Sequence, residues 1–242
     1  MTITSHQNAK LKEIRKLRQR RRSRELAGRF VAEGEDLLAA ADAAGWEPVE
    51  RYCAAGSGLP GVEVEPELLA NASGLGSGTR ALAVYEERWA VAPAGPLCVY
   101  LHGVHDPGNV GAVLRSAQAF GASSVVFGPG TADPFGPKAV RASMGAVFAV
   151  PLARADSTAS LPGTTVALAA GRGRSLTEVM RSDRGPRGQN VTLLIGSERE
   201  GLPEEAIAAA AHLAHIPIET ESLNAAMAAT IALYELTRIS PA

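Results

Sequence analysis

Cysteine is nearly missing from this chain, with Cys53 and Cys98 alone among 242 residues. Two thiols cannot build a disulfide framework or a four-cysteine metal site, and their scarcity suits a reducing cytoplasm, where we expect the protein to reside. Aromatic residues supply only 5% of positions, so most of the core has to come from Val, Leu and Ala. Long apolar runs are absent as well. No stretch approaches the roughly 18 uninterrupted apolar residues of a spanning helix, and no apolar segment follows the charged start, so neither a membrane span nor a secretory signal is expected. Net charge is close to nil, 24 Lys and Arg against 25 Asp and Glu. Overall charge therefore selects no class of partner.

The charges are nevertheless segregated. The first 29 residues hold ten basic side chains against Glu13 and Glu25, which leaves the remainder clearly acidic. Residues 5–26 read as a helix with Ile14 and Leu17 on a thin apolar side, and residues 1–22 as a basic N-terminal arm. Its Lys10, Arg15, Arg18, Arg20, Arg21 and Arg22 are candidate phosphate contacts, because clustered cations gain affinity for nucleic acid by counterion release. A solvated helix that only raises solubility is the plainer reading. Helical pattern continues over 29–45, with strands expected at 49–54 and 81–85 and a helix at 66–72. Residues 23–87 thus form a small mixed domain, and RWAVAPAGP at 88–96 has the composition of a linker.

From Leu97 to the end the pattern changes. Apolar segments LCVYLHG, SVVFG, AVFAVPL, TTVALAA, VTLLIG and HIPI read as strands, alternating with helices near 108–120, 137–143, 175–180, 203–211 and 222–238. This alternation defines an α/β domain over 97–242 with a mostly parallel sheet covered on both faces. The domain contains no phosphate-loop motif and no GxGxxG opening a helix after its first strand, so neither standard nucleotide fold is supported. It also lacks HExxH, GxSxG and CxxC, and the five histidines make no ligand set with cysteine, so no metal is expected.

Three segments concentrate polar groups at expected strand ends. In 102-HGVHDPGNVGAVLRSAQAFGA-122 a turn leads into a helix that presents Asn109 in its first turn and Arg115 off its apolar stripe. In 193-LLIGSEREGLPEE-205 an apolar strand runs into a glycine-rich loop carrying Glu198. In 215-HIPIETESLNAAMAATIALYELTR-238 a polar loop leads to Ser222, a good helix cap, and Asn224. Parallel sheets bind ligands outside the carboxyl ends of their strands, where these loops fall. Taken singly, each segment is equally compatible with capping and turn formation.

Together, and in this order, the three segments resemble the motifs of the SpoU-type (TrmH-like) branch of the SPOUT RNA methyltransferases. The likeness covers about Leu97 to Arg238. RFVAEGEDLL and LLANASGLGSGTRALAVYEE resemble, less distinctly, the family's small substrate-binding domain, which is similar to a ribosomal-protein fold. The resemblance implies a deep C-terminal trefoil knot, an exception to the rule that chains do not thread loops. It implies a homodimer and an S-adenosylmethionine pocket made by Gly196, Glu198, Gly201, Ile216, Ile218, Ser222, Leu223 and Asn224. Asn109 and Arg115 match the family's polar residues for RNA and catalysis, with Glu198, Ser222 and Asn224 completing the candidate catalytic set. One departure is visible: the loop between Pro217 and Ser222 is shorter than the family's, lacks its glycine, and carries Glu219 and Glu221 toward the expected pocket.

The implied reaction moves a methyl group to a ribose 2'-hydroxyl of structured RNA, with 23S ribosomal RNA favoured over transfer RNA. A guanidinium is a poor base, so Arg115 either activates the hydroxyl or stabilises alkoxide charge. The competing readings are a knotted RNA-binding or ribosome-assembly protein without catalysis, and a methyltransferase acting on small molecules.

Overall fold

The computed structural model describes residues 2–74, 78–182, 185–186 and 189–239. Part of the second piece of the N-terminal likeness, residues 75–77, lies outside them. The chain divides into two compact units, Met1–Arg88 with Asp133–Ala149, and Trp89–Ala132 with Val150–Ala242. The first boundary falls at the edge of the expected linker. The return of residues 133–149 to the first unit was not foreseen from composition.

In the first unit the basic segment forms two helices, Ala9–Gln19 (α1) and Arg21–Ala27 (α2), separated by extended backbone at Arg20. Asn8 caps α1 by accepting from the Lys10 N–H at 2.9 Å. Leu11, Ile14 and Leu17, spaced by three, lie on one face and are 0–2% exposed. This face joins Leu68, Leu69, Leu82 and Val84 in one apolar cluster. The segment is therefore integral to the unit rather than an arm, because its thin apolar stripe is a core face.

Residues 29–45 depart from the expected helix. Arg29–Glu33 is a strand (β1), as suits Phe30 and Val31, and the helix begins only after Gly34, as Glu35–Ala43 (α3). Glu50–Ala54 (β2), Val62–Val64 (β3), Pro66–Ser73 (α4) and Ala81–Glu86 (β4) follow. The sheet order is β1-β4-β2-β3, with β4 antiparallel to both neighbours and β2 parallel to β3.

The second unit opens with Leu97–Leu101 (β5), Pro107–Ala119 (α5) and Ser124–Phe127 (β6). Asp106 caps α5 by accepting from the Gly108 N–H at 2.6 Å, with Pro107 at the tolerated first position. Residues 133–149, grouped with the first unit, carry Pro137–Ala142 (α6) and Ala146–Ala149 (α7). AVFAVPL is thus a helical turn followed by Leu152–Arg154 (β7) instead of one strand. Short apolar runs are ambiguous in just this way. Then come Thr164–Leu168 (β8), Arg174–Ser175 (β9), Leu176–Arg181 (α8), Val191–Ile195 (β10), Glu204–Ala209 (α9), His212–His215 (β11) and Ala225–Ile239 (α10). HIPI begins on the last residue of β11 and leaves the sheet, since Pro217 has no N–H to donate.

All pairings in this second sheet are parallel, in the order β7-β6-β5-β10-β8-β11-β9. Strand β10 enters between β5 and β8, and the chain then crosses β8 to lay down β11. Helix α10 returns against α5, α8 and β10. Ser116 and Thr230 hydroxyls meet at 2.6 Å, and Thr177 donates to Glu235 at 2.7 Å, fixing α10 to both helices.

Within the first unit, residues 133–149 complete the core. Phe30 packs against Phe135 at 4.7 Å and Phe148 at 5.9 Å between ring centroids, and the Trp46 indole donates to the Phe148 carbonyl at 2.9 Å. Arg24 is 5% exposed and donates to Asp133 through Nε and Nη2 at 2.8 and 2.7 Å, and to the Leu17 carbonyl at 2.7 Å. Removing one partner of such a pair leaves a buried charge uncompensated. Asp133→Ala should lower stability by about 3–5 kcal/mol in urea unfolding followed by Trp46 fluorescence; a loss below about 1 kcal/mol would show that Arg24 finds another partner.

Candidate active site

The strands β8, β10 and β11 end side by side, and the loops that follow them enclose a cavity of about 460 Å³. Leu168, Ile195 and His215, the last residues of the three strands, all line it. This is the carboxyl edge where a parallel sheet binds ligands, and the volume lies in the range of small-molecule sites.

The loop after β10 is a tight hairpin. Ser197 and Gly201 exchange N–H to carbonyl bonds at 3.2 and 3.0 Å, and the Glu200 N–H donates to the Ser197 hydroxyl at 3.1 Å. Gly196 makes this closure possible. A Cβ there would sit 2.1 Å from the Gly201 carbonyl carbon, which is backbone and cannot give way.

Of the residues expected at the pocket, Gly196, Glu198, Gly201, Ile216, Ile218, Ser222 and Leu223 line the cavity. Asn224 stands beside it and performs a different task. Its Oδ1 accepts from the Ala226 and Met227 N–H groups at 2.9 and 3.3 Å, so it caps α10. The cap expected at Ser222 is therefore two residues later, and Ser222 is left as a wall residue. Asn224 Nδ2 also donates to Asn109 Oδ1 at 2.9 Å, while Asn109 Nδ2 donates to Glu198 Oε1. Side chains far apart in sequence, from the first, second and third segments, thus form one hydrogen-bonded chain.

Arg115 does not join them. It lies six residues along α5 from Asn109, exposed, and is not among the residues that line the cavity. Of the two carboxylates in the short loop, Glu221 reaches the cavity wall and Glu219 does not.

Local sequence signals missed the contribution of β8. Leu168, Ala169, Ala170 and Arg172 line one side of the cavity, yet they read as an ordinary strand end and turn. Arg172 forms a two-pronged ion pair with Glu204 at 2.6 and 3.1 Å, and this guanidinium holds the Glu204 carboxyl below the usual carboxylate range. At the end of β5, burial lowers the affinity of His102 for a proton, and its Nδ1 lies 3.2 Å from the Tyr100 hydroxyl. Among the described residues no group of three or more His, Cys, Asp or Glu could hold a metal ion.

Residues 96–234 match the SpoU rRNA Methylase family, and residues 8–87 match the MRM3-like substrate binding domain. A Mycobacterium tuberculosis protein named as an uncharacterized tRNA/rRNA methyltransferase is 36% identical over 199 residues, spanning 76% of this chain and 68% of that protein. An AdoMet-bound rRNA methyltransferase from Sinorhizobium meliloti superposes with a TM-score of 0.85 at 32% identity, covering 98% of this chain and 97% of the other. The SpoU methyltransferase AviRb from Streptomyces viridochromogenes, in complex with AdoMet, gives 0.82 at 26% identity over 96% and 98% of the two chains. The chain belongs to the SpoU rRNA methylase family, the TrmH-like branch of the knotted SPOUT methyltransferases, joined here to a substrate-binding domain.

The double role of Asn224 can be separated by substitution. Serine caps a helix about as well as asparagine but is too short to reach Asn109. Asn224→Ser should stay within a few tenths of a kcal/mol of wild type in thermal unfolding, while Asn224→Ala should lose about 1 kcal/mol. Equal losses in both variants would mean that the bond to Asn109, and not the cap, sustains the helix start.

Proposed function

We propose that this protein transfers a methyl group from S-adenosylmethionine to a ribose 2'-hydroxyl of structured RNA, with 23S ribosomal RNA as the favoured substrate. The observation that carries this reading is the cavity at the carboxyl ends of β8, β10 and β11, tied through Glu198, Asn109 and Asn224 to all three polar segments. The cavity suits the methyl donor. Leu168, Ile195, Ile216, Ile218 and Leu223 offer apolar walls for a purine ring, and Glu198 and Glu221 place carboxylates where a cationic ligand is attracted. When bound, the donor supplies an electrophilic methyl on a sulfonium leaving group, so a metal or a covalent enzyme intermediate has no necessary role.

The protein's share of the work is placement and charge. Gly196 and the Ser197–Gly201 hairpin hold the donor side, and Asn109, fixed by two hydrogen bonds, presents a polar edge beside it. Aligning a hydroxyl behind the methyl carbon makes the encounter intramolecular, which lowers the barrier by several kcal/mol. Arg115, exposed on α5, is assigned to the RNA side, where a guanidinium orients phosphate or stabilises the developing alkoxide. Since Arg115 stands off the cavity wall, the proposed homodimer has a further rationale. Met227, Ile231 and Tyr234 are 55%, 39% and 53% exposed on one face of α10, an apolar stripe that a second copy would cover.

The relatives support an RNA substrate. A Bacillus subtilis protein named as a 23S rRNA guanosine 2'-O-methyltransferase is 31% identical over 55% of this chain and 54% of its own length. The basic N-terminal segment supplies the phosphate surface in this reading, with one amendment. Arg18 pairs with Glu33 and donates to the Ala72 carbonyl at 2.9 Å, so it is a structural residue. Arg20, Arg21 and Arg22 are exposed.

Methyl transfer is tested by mapping 2'-O-methyl groups in RNA extracted from cells with and without the protein, then repeating the reaction with purified components. One ribosomal position should lose its methyl and regain it in vitro. A change confined to transfer RNA would relocate the substrate, and no change in either pool would reject the enzyme reading. Arg115→Ala should slow single-turnover transfer by about a hundredfold or more while sparing donor affinity; an unchanged rate would remove Arg115 from the reaction.

The phosphate surface has its own measurement. Replacing Arg20, Arg21 and Arg22 together by Gln should flatten the slope of log affinity against log salt by about two to three, without touching the buried Leu11, Ile14 and Leu17. An unchanged slope would place RNA elsewhere.

A further inference from the structure

The cavity at the ends of β8, β10 and β11 is lined by six charged side chains, Glu198, Glu200, Glu204 and Glu221 against Arg172 and Arg199. Three of them are engaged with neighbours. Arg172 and Glu204 hold each other in a two-pronged pair at 2.6 and 3.1 Å, and Glu198 Oε1 accepts from Asn109. Arg199 is not engaged. It stands exposed in the hairpin that Ser197 and Gly201 close, and its guanidinium has no ion pair or hydrogen bond among the described residues.

This free cation matters because of the charges on the methyl donor. At neutral pH the sulfonium and the α-ammonium of S-adenosylmethionine are positive and its α-carboxylate is negative. A wall with more carboxylates than guanidinium groups attracts the two cations and repels the carboxylate, so a donor held here needs a local cation for that one group.

Few places on the wall can supply it. The start of α10, where N–H groups would otherwise receive an anion, is taken by Asn224 Oδ1, which accepts from Ala226 and Met227 at 2.9 and 3.3 Å. Arg172 would have to release Glu204. Arg199 has nothing to release, and its planar fork of N–H groups matches a carboxylate. The hairpin also fixes its backbone, through the Ser197–Gly201 bonds and the Glu200 N–H that donates to the Ser197 hydroxyl at 3.1 Å. Binding a carboxylate therefore has only the Arg199 side chain left to order.

We propose that Arg199 binds the α-carboxylate of S-adenosylmethionine and thereby selects a donor that carries the whole amino acid. The assignment rests on the reading that this cavity holds the methyl donor, and adds the group that recognises one end of it.

The test measures binding and no transfer. The full-length protein and its Arg199→Gln and Arg172→Gln variants are titrated calorimetrically with S-adenosylmethionine and with its decarboxylated form, in which hydrogen replaces the carboxylate. Arg199→Gln should unfold at the wild-type temperature, since the guanidinium has no partner to lose. It should bind S-adenosylmethionine about tenfold more weakly. Its affinity for the decarboxylated donor should be unchanged or higher, because a guanidinium only repels a ligand whose charges are all positive. Arg172→Gln should show no such selectivity. An equal loss for both ligands would mean that the substitution merely disturbs the hairpin, and no loss for S-adenosylmethionine would place the carboxylate elsewhere. Either result overturns the proposal, as does a selective loss in Arg172→Gln alone. Failure of the donor reading looks different. A folded wild-type protein that binds neither compound rejects the donor site and Arg199 with it, whereas binding of both without a selective effect of Arg199→Gln removes Arg199 only.

Discussion

Asn224 is the residue on which the candidate site depends. Its carbonyl oxygen gathers the two N–H groups that start α10, and its amide nitrogen holds Asn109, which in turn holds Glu198. One side chain therefore couples the start of the last helix, the first turn of α5 and the hairpin after β10. Hydrogen-bonded chains of this kind are rigid only when every member is satisfied. Glycine at 196 serves the same end by allowing the hairpin backbone to close on itself.

The parallel sheet explains why these groups meet at all. Each of β5, β8, β10 and β11 delivers its following loop to one edge, so side chains separated by more than a hundred positions, Asn109 and Asn224, meet there. The first unit works by different means. Besides the aliphatic cluster beneath α1, its core contains an aromatic cluster of Phe30, Trp46, Tyr85, Phe135 and Phe148, the last two supplied by residues 133–149. A chain with 5% aromatic residues has concentrated nearly half of them there. The Arg24–Asp133 pair secures the same segment, so residues 1–88 by themselves lack part of the core they fold around.

Much of the α/β region was legible because its buried strands are apolar runs stopped by glycine or proline, as in VTLLIG and SVVFG. Residues that suit two structures equally well were not. Phe30 and Val31 lie on a strand inside what reads as continuous helix, and only the conformation of Gly34 separates the two. Ser222 and Asn224 are both good caps, and local sequence cannot show which one the helix start reaches. The motif residues of the second and third segments fell on the cavity because their glycines and short polar groups are needed for close backbone approach. Leu168 to Arg172 carry no such mark, since a strand end built of Leu and Ala looks alike whether it faces a ligand or the core. Leu11, Ile14 and Leu17 were visible as a stripe, but the surrounding cations masked its burial.

The central claim is that the cavity beside Glu198 and Asn224 holds the methyl donor. Calorimetric titration of the purified protein with S-adenosylmethionine tests it most directly. The account predicts one site per chain with micromolar affinity, weakened in a variant whose Gly196→Ala substitution forces the hairpin open but leaves the thermal unfolding of the first unit unchanged. Absence of binding at millimolar donor by a folded protein, or full affinity retained by Gly196→Ala, would contradict it.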